Sequence, residues 1–304
     1  MSADSDWEEL FSTWVKPPLD TEEKRIENAI SAVKNAVLKS EHLSYVSQVF
    51  VQGSYRNRVN VRQDSDVDVG VIYKGSYFYS LTGGRTEDVA DGEATYTYSE
   101  FKADLFATLK SHFKSGVVRG NKSITVRENS YHVDADIVPL FHLKEYGPYG
   151  ENRRGVSLLP DDGGRRIDNY PERLADDWPN IPLHYENGVS KNTATSRRYK
   201  RIVRIIKKLR NFMEENGVSE AKPIPGYLIE CLVYNVPNSY FNGASWLEIT
   251  RSIFGFLWAG TKHDGDSSDW MEVDNVKFLF HTTQPWTKQQ AYAFVDKAWS
   301  WVGV

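Results

Sequence analysis

The segment VFVQGSYRNRVNVRQDSDVDVGVIY constrains this chain more than any other. A strand-like apolar run ends at Gly53-Ser54, and Asp66 and Asp68 follow at the head of a second apolar run. Side chains alternate across a strand. Asp66 and Asp68 are therefore expected on one face, with Val67, Val69 and Val71 entering a core on the other. Two neighbouring carboxylates repel and raise each other's pKa, and a divalent cation between them removes the repulsion.

A further carboxylate comes from YHVDADIVPLF, in which Asp134 and Asp136 share a face. Apolar residues follow Asp136 directly, so it is the favoured third ligand, with Asp134 the second choice. All-oxygen donors suit Mg²⁺ or Mn²⁺. Three carboxylates on adjacent strands can hold two such ions about 4 Å apart, one activating a hydroxyl and one stabilising a leaving pyrophosphate. Asp136 is expected on the nucleophile side, where it can accept the proton. Gly53 permits close backbone approach, Ser54 adds a hydroxyl, and amides opening the next helix can bind phosphate oxygens. Gln52 completes this set of expected nucleotide contacts. A plain Gly-Ser turn or a solvated Asp-x-Asp edge is common alone; the combination is specific.

The rest of the chain supplies an α+β frame. Residues 21–39 show helical spacing of Ile26, Ala29, Ile30, Val33 and Val37, with Asp20 or Thr21 as the cap. Residues 75–95 and 145–172 read as long irregular stretches rich in turn formers. Residues 99–113 are expected to be helical, and KSITVRE is strand-like. Beyond residue 190 the pattern is mainly helical: a long basic helix ending at Gly217, then IPGYLIECLVYNVPN, 244–259 and 287–302. A core over 1–160, including the helix 21–39, and a mainly helical nucleotide-binding lobe over 161–304 follow. The site is expected in a cleft between them.

The hydrophobic-Gly-Ser…Asp-h-Asp-h pattern resembles the DNA polymerase β-like nucleotidyltransferases. More narrowly, GSYRNRVNVRQDSDVDVGV, DADIVPLF, NYPERL and HYENGVSKNTATSRRYKRIVRIIKKLRNF resemble the bacterial CD-NTases, the cGAS/DncV-like enzymes of anti-phage signalling. The resemblance runs over residues 20–245 and is strongest to clade E, whose members can make uridine-containing cyclic dinucleotides. It implies a polymerase β-like palm, a mixed twisted sheet with flanking helices, packed on a C-terminal helical lobe. It also implies two Mg²⁺ or Mn²⁺ ions per site and NTP substrates, ATP and UTP foremost.

Helix 197–213 carries Lys200, Arg204 and Lys207 at i, i+4 and i+7, able to line one face and balance a triphosphate. A solvated basic face is the alternative. By resemblance Lys200 matches a triphosphate-contacting lysine, with Arg204 and Lys207 as weaker parallels. Asn192 and Thr195 can cap this helix or contact a sugar hydroxyl. Family members usually read Ile-Pro-Ser where this chain has IPGY; Gly226 lacks that hydroxyl, while Tyr227 could stack on a base. Asn169 has the donor and acceptors to read a uracil edge, and the resemblance points the same way. The alternative is turn chemistry before Pro171. His184 reads as structural.

Net charge is −4, which argues against general duplex-DNA binding. No apolar run approaches the roughly 20 residues that span a bilayer, and the acidic N-terminus lacks a signal-peptide pattern. A cytoplasmic monomer is expected. Cys231, the single cysteine, sits in an apolar run and reads as a buried thiol. The expected activity is template-independent synthesis of a cyclic dinucleotide that acts on an effector protein. Alternatives are transfer to RNA or a small molecule, nucleotide hydrolysis, or an inactive sensor. All three carboxylates are present, which disfavours the sensor.

Overall fold

A computed structural model describes residues 3–61, 66–81, 85–87, 96–146, 152–169 and 184–303. The chain divides into two compact units. One comprises Leu19–Arg56 and Asp64–Asn180; the other comprises Met1–Pro18, Asn57–Gln63 and Ile181–Val304.

The first unit is built on a mixed sheet. The helices and strands before the first crossover are α1 (Ala3–Trp14), which belongs to the second unit, α2 (Asp20–Leu38), β1 (Ser47–Gln52), α3 (Gly53–Arg56) and β2 (Val67–Leu81). Then come β3 (Arg85–Glu87), α4 (Tyr98–Phe113), β4 (Val117–Arg119), β5 (Ile124–Val126), β6 (Ala135–Tyr146), β7 (Asn152–Leu158) and β8 (Ile167–Asn169). The sheet order is β1-β2-β6-β5-β4, with β3 on β2 and β7 and β8 extending from β6. Among the described residues only β2 and β6 pair in parallel, and they lie side by side at the sheet's centre. Val67, Val69 and Val71 are fully buried, as are Ile137 and Phe141, so the alternation read from sequence holds here.

Some elements differ from expectation. Helix α2 starts at Asp20 with Leu19 as N-cap and no side-chain cap; Asp20, Glu22 and Glu23 instead place negative charge at its positive end. Strand β2 runs on to Leu81 through the stretch expected to be irregular, because it keeps pairing with β6 as far as Tyr146. Residues 82–84 and 88–95 of that stretch lie outside the described residues, as do 147–151 and 170–183. Strands β7 and β8 likewise replace irregular chain within 145–172, and β8 joins residues 167–169 to the sheet. Helix α4 has a capping box between Thr97 and Glu100.

The second unit holds α1, α5 (His184–Ala194), α6 (Tyr199–Glu215), α7 (Gly226–Asn235), α8 (Trp246–Thr261) and α9 (Lys288–Trp301). Helix α6 runs through its core, with Ile202, Ile205, Ile206, Leu209 and Met213 all buried. Cys231 is buried among them, and its burial pushes the thiol well up from its ordinary range. Helix α1 was not read from sequence as an element. It places Trp7, Phe11 and Trp14 on one stripe, with Phe11 fully buried and both indoles packed on the core. Trp286 lies in the same core, and Trp299 and Trp301 pack against it.

Candidate active site

The sheet brings the carboxylates together by register. Asp68 on β2 is the direct neighbour of Asp136 on β6, and Gln52 on β1 is the direct neighbour of Asp68 on the other side. Paired residues of adjacent strands point to the same face, so Gln52, Asp68 and Asp136 form a row across three strands. Asp66 lies one residue before β2 and is exposed, while Asp68 and Asp136 are half-buried. The backbone N–H of Val67 donates to the Asp134 carbonyl, which fixes the two strands at the level of Asp66.

Gly53 closes on this row from below. Its φ is +70°, and a Cβ at this position would lie 1.8 Å from Asp68 Oδ2. Glycine is therefore needed twice, for the left-handed backbone and for the space the Asp68 carboxylate fills. Ser54 follows in the single turn of α3 and is half-buried.

Asp134 and Asp136 differ in their partners. Asp134 accepts from Arg127 Nη1 at 2.9 Å and from the Glu128 amide. Its charge is already matched by a guanidinium. Asp136 accepts from the Thr125 hydroxyl at 2.6 Å, a neutral donor that leaves its charge uncompensated. Among the described residues no three His, Cys, Asp or Glu side chains close on one point as a complete cage. Mg²⁺ characteristically takes one or two carboxylates and fills its remaining positions with water and substrate phosphates. The donor set is all oxygen, and the Asp68–Asp136 pair is held rigidly by the sheet, so the residues suit a divalent cation.

In the helical unit, two of the three residues expected to clamp a triphosphate bond to backbone carbonyls. Arg204 donates through Nε and Nη2 to the Val15 carbonyl at 3.0 and 2.7 Å, and through Nη1 to the Arg58 carbonyl at 3.0 Å. Burial pushes its guanidinium down to about 10. Arg204 thus ties Val15, just past α1, and Arg58 to α6, a structural use of a residue expected at the phosphates. Lys207 Nζ donates to the Val59 carbonyl at 3.3 Å in the same way. Lys200 is nearly buried, with its ammonium 5.2 Å over the Tyr185 ring.

Asn192 and Thr195 turn out to be caps. Asn192 Oδ1 accepts from the Lys200 amide at 3.1 Å, and Thr195 Oγ1 accepts from the Tyr199 amide at 3.0 Å. These are first-turn amides of α6 that would otherwise lack partners. Thr195 is buried, so the sugar-contact reading is replaced for it. Tyr227 packs its ring at 5.4 Å from His184 and 6.0 Å from Trp286, which makes it part of the packing rather than an open stacking platform. A Cβ at Gly226 would meet Lys207 Cε at 3.3 Å, so the missing serine side chain would lie against Lys207. Asn169 ends β8, exposed, opposite Val156 of β7.

Sequence reasoning missed Glu230. It is buried in the apolar run of α7 and sits 2.8 Å from His184 Nε2, which also lies 2.9 Å from Asn57 Nδ2. The structural reading of His184 accords with this bonding. A lone Glu inside LIECLVY was the available signal.

Comparison with known proteins places this architecture. Residues 186–303 match the cGAS/DncV-like nucleotidyltransferase C-terminal helical domain. The chain is 43% identical to a cyclic dipyrimidine nucleotide synthase CdnE of Legionella pneumophila, over 98% of each sequence. The chain belongs to the CD-NTases. Among solved CD-NTases it is similar to the CdnE cyclic dinucleotide synthase of Elizabethkingia meningoseptica, solved with GTP and Apcpp. That match has a TM-score of 0.79 and 31% identity, covering 98% of this chain and 99% of that one. It is similar also to the Rhodothermus marinus CdnE c-UMP-AMP synthase, solved with Apcpp and Upnpp. There the TM-score is 0.76 with 27% identity, covering 96% and 94%. CD-NTases are nucleotidyltransferases, as a class dependent on divalent metal. Among the described residues of this CD-NTase, no helix is long and apolar enough to cross a membrane.

The Gly53 geometry makes a sharp prediction. Gly53→Ala has to displace the Asp68 carboxylate and also adopt a left-handed backbone, at a cost of about 1–2 kcal/mol. Turnover is expected to fall at least about 10-fold, because a displacement of even 1 Å at a reacting centre can cost more than that. Melting temperature should drop only modestly. Wild-type rates in a steady-state assay of Gly53→Ala would show that Asp68 need not stand where it does.

Proposed function

We propose that this CD-NTase joins two NTPs into a cyclic dinucleotide, releasing two pyrophosphates, as a second messenger in anti-phage signalling. The observation that carries the reading is the Gln52–Asp68–Asp136 row above Gly53. In each transfer a ribose hydroxyl of one nucleotide attacks the α-phosphorus of another. A phosphodiester forms, the bond to pyrophosphate breaks, and the hydroxyl proton leaves. Two such transfers in sequence, the second within the linear intermediate, close the ring. Asp66, Asp68 and Asp136 would hold two Mg²⁺ or Mn²⁺ ions, which supply charge neutralisation for the triphosphate and an acidified hydroxyl. Asp136, beside the nucleophile, receives the proton. Ser54 and the backbone at Gly53 hold phosphate oxygens, with Gln52 beside them. Lys200 keeps its assignment to the triphosphate through the resemblance.

Uridine is the proposed base preference. The Legionella relative is named for dipyrimidine products and the Rhodothermus structure for UMP-AMP. Asn169, exposed at the end of β8, has the amide to read the pyrimidine edge. The test is incubation with all four NTPs and Mg²⁺ or Mn²⁺, with phosphatase-resistant products identified by mass spectrometry. A protected cyclic dinucleotide containing uridine is expected, and Asn169→Ser should shift the product away from uridine. Purine-only products from wild type would overturn the base assignment. Only linear or hydrolysed products would overturn the synthase reading.

A further inference from the structure

Strand β5 treats the two aspartates of β6 differently. Ile124 and Val126 are buried, so Thr125 and Arg127 face the other way. Thr125 is the direct neighbour of Asp136 in the antiparallel β5–β6 pairing. Its Oγ1 donates to Asp136 Oδ1 at 2.6 Å, whereas Arg127, two residues on, gives its guanidinium to Asp134 at 2.9 Å. A salt bridge cancels charge at Asp134. A hydroxyl holds Asp136 in place by one of its two oxygens and leaves the full negative charge on the group.

We propose that Thr125 is a positioning residue for Asp136: its hydroxyl fixes the rotamer in which this carboxylate meets the divalent cation and the attacking hydroxyl. The inference rests on the reading of Asp136 given above. Asp136 is the second residue of β6 and half-buried, and its side chain has two rotatable bonds, χ1 and χ2, of its own. One short hydrogen bond from the adjacent strand removes that freedom before substrate arrives. Partners of metal-binding carboxylates commonly contribute about 10-fold or more to metal affinity or activity. Valine is nearly isosteric with threonine and suits a strand, so Thr125→Val removes the hydroxyl with little other change. Thr125→Ser keeps the hydroxyl and loses only the methyl.

The experiment measures Mn²⁺ binding by electron paramagnetic resonance, with Apcpp present and without it, alongside steady-state kinetics. Thr125→Val is expected to weaken Mn²⁺ binding and lower kcat by about 10-fold each. The KM for NTP should change less than about two-fold, because the hydroxyl is given to Asp136. Thr125→Ser is expected to restore both. Unchanged Mn²⁺ binding in Thr125→Val would overturn the proposal, as would a Thr125→Ser variant as impaired as the valine variant. If wild type makes no product from NTPs, the synthase reading fails, and the Mn²⁺ titrations alone decide the role of Thr125.

Discussion

Replacing Asp66 and Asp68 together with alanine is expected to abolish nucleotide transfer, a loss of at least about 10³-fold, or about 4 kcal/mol of transition-state stabilisation. The fold should survive. Asp66 is exposed and lies just outside β2, and Asp68 is only half-buried, so neither supports the apolar face of the sheet. That face rests on Val67, Val69 and Val71, which the double variant leaves intact. Removing two neighbouring negative charges also relieves their mutual repulsion in the metal-free protein. Product formation by the double variant, with circular dichroism and melting like wild type, would refute the metal assignment.

Asp134 provides the internal control. It shares a strand face with Asp136, but its oxygens are engaged by Arg127 and the Glu128 amide. Comparing single replacements of the two therefore separates a charge that a guanidinium already matches from one held by a hydroxyl alone.

The sheet and its carboxylates were legible because period-two alternation and core packing act on the same residues. Val67, Val69 and Val71 could bury only if Asp66 and Asp68 turned outward. The register that sets Asp68 beside Asp136 was not legible, since sequence gives no pairing between strands so far apart. Nor were the different partners of Asp134 and Asp136, which depend on β5, a strand of three residues. The 75–95 stretch misled for a related reason. Its composition suits turns, but hydrogen bonding to β6 carries β2 through its first part to Leu81, and tertiary pairing overrides weak local preference.

On the basic face of α6 the spacing was legible and the partners were not. Positions 200, 204 and 207 do share a side of the helix, and all three residues are buried. Spacing alone could not distinguish charges offered to a ligand from charges used inside. Arg204 and Lys207 bond to carbonyls of Val15, Arg58 and Val59, chain segments remote in sequence. Buried carbonyls without helical or strand partners need donors from somewhere, and a long cationic side chain can reach them. The same accounting turns Asn192 and Thr195 into caps.

Glu230 balances the interior of the helical unit, and Glu230→Ala is expected to destabilise the protein by about 3 kcal/mol. Its carboxylate is buried beside His184 and feels the charges of Lys207 and Lys200. Burial raises the Glu230 carboxyl, but His184 and the two lysines outweigh this and hold it below its ordinary range. Burial likewise lowers the His184 imidazole, and Glu230 more than reverses that. Both shifts favour the ionised pair. The imidazolium's contribution is complete below its unfolded value of 6.5 and fades as pH rises through the higher folded value. The carboxylate's contribution is complete above its unfolded value of 4.5 and fades as pH falls through the lower folded value. The stability gap between wild type and Glu230→Ala should therefore be widest between pH 4.5 and 6.5 and should narrow toward alkaline pH. Denaturant unfolding of both proteins at pH 5.5 and about pH 9 measures it. A gap of equal size at both would mean that Glu230 stabilises by packing and hydrogen bonding, and that the charge on His184 contributes nothing.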